Sequence, residues 1–172
     1  MLEFKIKFDD KEMFKEIRKQ SAKLEVGFFE EDIYEEVDKP FYAPKGLRAK
    51  SNLNKPRRYA AHKAIPVAQV AASNEYGVPE HNQPPRPFMR DTIQKNRMQW
   101  RKLVQDNLPI LMDVEKMAEQ LGMKMVKDVR KTILNFMIPL NAPSTVKRKG
   151  FNKPLIDSEQ MLESVKWKVN GR

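Results

Sequence analysis

The chain has no cysteine, two histidines and six glycines. Each shortage closes off a class of chemistry. Without cysteine there is neither a disulfide framework nor a thiolate metal site, which fits a reducing compartment or a particle assembled in one. A zinc site needs several clustered ligands. His62 and His81 stand in polar or proline-rich surroundings with no second ligand at suitable spacing, and read as solvated loop residues. The few glycines form no phosphate-cradling loop. Serine and aspartate occur without a histidine in any triad-like arrangement. The longest apolar runs fall far short of the roughly 20 residues of a membrane span. The opening MLEFKIKFDD alternates apolar and charged residues, unlike a signal peptide. No catalytic residue, metal ligand, cofactor or membrane contact is expected.

Acidic residues are also missing where basic ones collect. The 172 residues carry a net charge of +10, yet residues 40–73 contain no Asp or Glu. That stretch holds Lys45, Arg48, Lys50, Lys55, Arg57, Arg58 and Lys63; a second cluster is Lys147, Arg148, Lys149 and Lys153. The rest of the chain is close to balanced, so the basicity belongs to two loop-like segments. Such segments neutralise phosphates without reading sequence, with Tyr59 available for stacking. They equally suit an acidic protein neighbour. Carboxylates gather at Glu30, Glu31, Asp32, Glu35, Glu36 and Asp38 without helical spacing, as a solvated or partner-facing edge.

The patterning predicts one α+β domain over residues 1–172: a small antiparallel sheet, two longer helices packed on it, extended proline-rich arms and a long basic loop. Leu2, Phe4, Ile6 and Phe8 alternate as a strand, and residues 11–22 follow as a helix. Leu24, Val26 and Phe28 form a second strand. Residues 31–63 are a long loop or hairpin excursion. A short helix covers 65–76, with Val67, Val70 and Ala71 inward and Gly77 ending it. A helix over 88–107 is interrupted by Pro109. Leu111, Val114, Ala118, Leu121, Met125, Val129 and Ile133 step along the clearest helix. Its methionines (Met112, Met117, Met123, Met125) read as core. Ser144 or a neighbour caps a short turn that Gly150 stops, Asp157 or Ser158 caps a last helix, and Val165, Trp167 and Val169 close the chain as a strand.

Two segments, VAQVAASNEYGVPEHNQPPRPFMRDTI and PLNAPSTVKRKGFNKPLIDSEQMLESVKWKV, carry a resemblance. The first is a helix ending in Asn-Glu-Tyr-Gly and a Pro-Pro-Arg-Pro-Phe connector. The second runs through Pro139-Leu140, Ser144-Thr145, the basic Lys147 to Gly150 and Lys153 to Asp157 into a closing strand. With the early LEVGFF, this ordered set resembles the tailed-phage virion morphogenesis and tail-completion family, which includes the minor tail protein Z group. Two features depart from it: Ser158-Glu159 stands where Thr-Gly is usual, and the basic excursion is longer.

The resemblance implies a structural virion protein without catalysis. It implies a ring of identical subunits, hexameric or dodecameric, at the neck or tail top that joins heads to tails. It implies assembly in the host cytoplasm and other neck and tail proteins as partners; in such a ring the basic loop is expected to face DNA in the lumen or an acidic surface of the adjoining ring. The connector then reads as a stiff arm, since consecutive prolines leave little entropy to lose. Glu75, Tyr76, Pro84, Pro85, Arg86, Pro87, Phe88 and Arg90 are its interface candidates. Arg86 is set to pair with a neighbour's carboxylate, Phe88 to pack at home, and residues 78–83 to face the neighbour. The alternative function is sequence-independent nucleic-acid binding through the basic loop.

Overall fold

The computed structural model describes residues 15–34, 65–157 and 159–171. The strand expected over residues 2–8, the start of the helix expected over 11–22, and the basic loop with Lys45, Arg48, Lys50, Lys55, Arg57, Arg58 and Lys63 lie outside them.

The described fold is α+β, as the patterning predicts. Strand β1 (Ala22–Gly27) pairs antiparallel with the closing strand β4 (Lys166–Gly171), with Leu24 opposite Val169 and Val26 opposite Trp167. Strand β2 (Ile33–Tyr34) pairs antiparallel with β3 (Ile65–Pro66), so the excursion leaves and re-enters through a two-stranded base. Three helices follow: α1 (Val67–Tyr76), α2 (Phe88–Leu111) and α3 (Val114–Asn135). Short helices α4 (Pro143–Lys149) and α5 (Gln160–Glu163) lead into β4. Helix α3 is central: α2 lies on it, and β1 and β4 pack against it.

Two apolar clusters meet along α3. One joins Val67, Ala71, Phe88, Val129, Ile133 and Val165; the other joins Ile17, Trp100, Leu108, Met117, Leu121 and Met125. Val26 touches both. Polar groups between α2 and α3 are matched: Trp100 Nε1 donates to Asp128 Oδ2 at 2.8 Å, and Lys124 pairs with the same carboxylate. The Thr92 hydroxyl donates to Thr132 Oγ1 at 2.7 Å, tying α2 to α3. Gly122 lets Trp167 lie on α3. A Cβ there would sit 2.9 Å from the indole Cγ and Cδ2 and 3.0 Å from Leu24 Cδ1. Overpacking costs about 1–3 kcal/mol, against a helix-propensity gain of about 1. Gly122→Ala is therefore expected to lose about 1 kcal/mol in denaturant unfolding, where an exposed helical glycine would gain.

Several expectations change. Residues 15–22 are not helical throughout: Ile17–Lys19 is a single 3₁₀ turn and Ala22 already opens β1. The cause is tertiary. The Gln20 side chain accepts from Val114 N–H at 2.9 Å and donates to Met112 O at 3.3 Å, holding this chain against the α2–α3 corner. Ile65 and Pro66 belong to β3, and the helix starts at Val67, whose N–H reaches Asp32 O. Pro109 sits inside α2. In the last turn it removes only one intrahelical bond, and buried Leu108 beside it keeps the turn docked. The break comes at Met112, in left-handed conformation, so Leu111 ends α2 rather than opening α3. Met117 and Met125 are core, whereas Met112 and Met123 are exposed.

Asp113 caps α3, accepting from the Lys116 N–H at 3.0 Å. That bond holds the Asp113 carboxyl below its ordinary value. A depressed folded value means the cap is fully present above the ordinary aspartate range and is lost as pH falls through the folded value. Protection of the Lys116 amide, its exchange taken relative to the intrinsic rate at each pH, should stay flat from neutral pH to about pH 5 and fall only in stronger acid, while Asp113→Asn removes that acid step.

The α4 cap is Ala142, not Ser144, and the helix ends at Gly150 as expected. Before α5 the cap position falls on Glu159, in left-handed conformation with φ +63°. Ser158 lies outside the described residues, and Asp157 precedes the cap. A side chain in that conformation costs roughly 1 kcal/mol relative to glycine. Glu159→Gly should raise stability by roughly 0.5–1 kcal/mol, read in the same unfolding assay.

Candidate functional site: the connector between α1 and α2

The chain reverses at Gly77. With φ +76°, it has open backbone space only because it lacks a side chain: a Cβ would lie 2.7 Å from Gln83 O and 2.8 Å from Pro85 N. Val78 and Gln83 then bond to each other across a tight turn, N–H to O at 2.9 and 3.1 Å, around a 3₁₀ turn at Pro79–His81 and a left-handed Asn82. Asparagine tolerates that conformation. The proline stretch returns along α1, where Arg86 N–H donates to Asn74 O at 2.7 Å.

The far end locks into α2. Pro87 occupies its N-cap position and offers no side-chain acceptor. Glu75 supplies one from the previous helix. Its Oε2 accepts from Met89 N–H at 2.9 Å; its Oε1 accepts from Arg90 N–H at 3.2 Å and Arg90 Nε at 2.9 Å. A buried carboxylate thus meets the positive end of a long helix and a guanidinium together. Arg90 also donates to Glu75 O at 3.0 Å and lies over the exposed Tyr76 ring at 5.4 Å.

Arg86 is buried. Its Nη1 donates to Asn74 Oδ1 at 3.2 Å and its Nη2 to Asn141 Oδ1 at 3.3 Å. Among the described residues no carboxylate pairs with it, and burial lowers its pKa from the ordinary arginine value. Phe88 is fully buried, edge-on to Phe28 with ring centroids 6.0 Å apart.

The eight candidates therefore divide. Glu75, Arg86 and Phe88 are turned into their own chain; Tyr76, Pro84, Pro85 and Arg90 are exposed; Pro87 is half-buried. The arm is a brace laid along α1, and the pairing of Arg86 with a neighbour's carboxylate is corrected by its burial against Asn74 and Asn141. The physical reason is that both Nη atoms of Arg86 find amide oxygens of its own chain, one on α1 and one in the loop before α4. What the connector offers outside is a ridge: Tyr76, the turn at residues 78–83, Pro84 and Pro85.

Of the second basic cluster, Lys147 is exposed on α4, and Lys149 donates to Lys153 O at 2.8 Å while lying 5.0 Å from the Phe151 ring centre. Arg148 belongs to α4, but its side chain is not described. Of the acidic edge, Asp32 pairs with Lys166 and Glu31 with Lys168, while Glu35, Glu36 and Asp38 lie outside the described residues. Among the described residues, no group of His, Cys, Asp or Glu is placed to hold a metal ion, and no helix is long and apolar enough to cross a membrane.

Sequence reading misses Asn74 and Asn141, and it sends Gln83 toward a neighbour where the structure turns that side chain back onto α1. Gln83 Nε2 donates to Asn74 Oδ1 at 3.2 Å and to Ser73 O at 3.3 Å. Their signal is faint: amides beside a proline run, whose partners lie far along the chain. Comparison with protein-family models, with curated proteins and with solved structures finds no match to this chain.

Proposed function

We propose that the protein is a structural subunit of the tailed-phage neck or tail top, whose copies close into a ring that completes the tail and joins it to the head. It acts by binding and not by catalysis, in the virion and, during assembly, in the host cytoplasm. The observation that carries the reading is the connector. Glu75, Arg86 and Phe88 fix its base from inside, and Tyr76, residues 78–83, Pro84 and Pro85 stand outside on that base. A rigid exposed ridge loses little entropy when a neighbour packs on it. The ordered motifs of the two segments support the same reading. So does Glu159, which keeps a glycine-like backbone where the resemblance places glycine.

The test is an assembly reaction with isolated tails and filled heads. The purified protein should raise head–tail joining. Tyr76→Asp with Pro85→Asp, both at exposed positions, should lower joining about tenfold or more, while costing the free protein only about 1–2 kcal/mol through the lost Arg90 contact and proline stiffness. Equal joining with and without the protein would overturn the reading. Steeply salt-sensitive DNA binding, with no effect on tails, would favour nucleic-acid binding by the basic loop instead.

A further inference from the structure

We infer that the C-terminal part of α3 and the loop after it form a docking face for an acidic protein surface with an apolar centre. Leu134, Met137, Ile138, Leu140 and Phe151 are all exposed, Ile138 at 81% and Leu140 at 55%. Four of the five fall within residues 134–140, at the end of α3 and in the loop after it; exposed apolar side chains gathered in this way mark interaction sites. Along the same helix Met123, Val126, Lys127, Arg130, Lys131 and Leu134 line a shallow groove of roughly 410 Å³. Their steps of three and four residues make one stripe of α3. Leu134 belongs to both features.

The face is held on a fixed base. Phe136 is buried behind it. Asn141 N–H donates to Asn152 Oδ1 at 3.2 Å, its Oδ1 accepts from Arg86, and Lys153 Nζ donates to Leu134 O at 3.3 Å.

Charge selects the occupant. Residues 129–156 contain no Asp or Glu but include Arg130, Lys131, Lys147, Arg148, Lys149 and Lys153. Among the described residues no carboxylate pairs with Lys127, Lys131 or Lys147. A second copy presenting the same face would set cations against cations. Nucleic acid would use the cations but not the aliphatic centre: bases stack on aromatic rings, and Lys149 already covers the Phe151 ring. A bilayer suits a broad convex apolar face, not a concave groove. Apolar side chains that fill the groove, flanked by carboxylates that meet the lysines, satisfy both features.

The probe is a helical peptide with leucines at i, i+3, i+4 and i+7 and glutamates flanking them, titrated into the full chain by fluorescence anisotropy. The Glu–Leu peptide should bind. Replacing its glutamates by lysine, or its leucines by serine, should weaken binding about tenfold or more. Ile138→Asp and Leu134→Asp change exposed positions, and each should give a comparable loss with the unfolding temperature unchanged. The inference is overturned if the Glu–Leu peptide does not bind, if the Lys–Leu peptide binds equally, or if the variants bind like the parent. It is also overturned if phosphatidylserine–phosphatidylcholine vesicles or a short DNA duplex bind more tightly than the peptide and lose that binding in Ile138→Asp.

Discussion

Phe88→Ala is expected to lower the stability of the isolated protein by about 4 kcal/mol, the cost of emptying a fully buried aromatic site. The Phe88 ring has no solvent exposure, meets Phe28 edge-on, and packs in the cluster that includes Val67, Ala71, Val129, Ile133 and Val165. Its removal deletes the contact between the first turn of α2, α1 and the C-terminal half of α3. For a chain of this size the melting temperature should fall by roughly 8–16 °C. Phe88→Leu, which keeps most of the volume, should cost under about 1.5 kcal/mol. Denaturant unfolding at neutral pH reads both. Because the aromatic ring packs inside its own chain, the loss should appear in the free protein, before any partner is added. A Phe88→Ala variant that unfolds within about 1 kcal/mol of the parent would mean that this side chain anchors nothing at home.

Glu75→Ala is expected to cost about 3 kcal/mol. The substitution removes one carboxylate and leaves two amides at the start of α2 without an acceptor, because Pro87 cannot supply one. It also removes a charge from the positive helix end. Arg90→Ala should cost much less, about 1 kcal/mol or under, because the Arg90 side chain is 59% exposed and screened by water. Glu75→Gln should fall between the two, keeping an oxygen but not the charge. The order Glu75→Ala, Glu75→Gln, Arg90→Ala separates a helix cap from an ion pair. Hydrogen exchange at the Met89 and Arg90 amides should accelerate in the first and barely change in the last. Equal losses for Glu75→Ala and Arg90→Ala would assign the stabilisation to the ion pair instead.

Elements whose logic is local were legible in the sequence. Leu24 and Val26, and Val165, Trp167 and Val169, show the period of half-buried strands, and α3 shows its apolar stripe over many turns. The pairing of Leu24 with Val169 was not legible, because it joins residues near opposite ends of the chain. Pro109 misleads for a local reason: proline usually breaks a helix, but a last turn docked by Leu108 tolerates the one lost bond. The connector misleads for a non-local one. Its prolines announce stiffness, but its direction is set by Asn74, Glu75 and Asn141, which lie outside the proline run. The cap of α2 comes from Glu75, a dozen or so residues upstream, where the usual capping rule looks only to the residue preceding the helix. Of the basic candidates, Lys147 and Lys149 fall within the described residues, and those of the long loop do not.

Ring formation by the connector ridge is tested most directly by the mass of the purified protein in solution, with and without isolated tails, at low and high salt. The account predicts a closed oligomer, or capture on tails, and either should survive high salt because Tyr76, Pro79, Pro84 and Pro85 of the ridge are exposed and their burial is not screened. A monomer that ignores tails at both salts, and binds DNA only at the lower one, would contradict it.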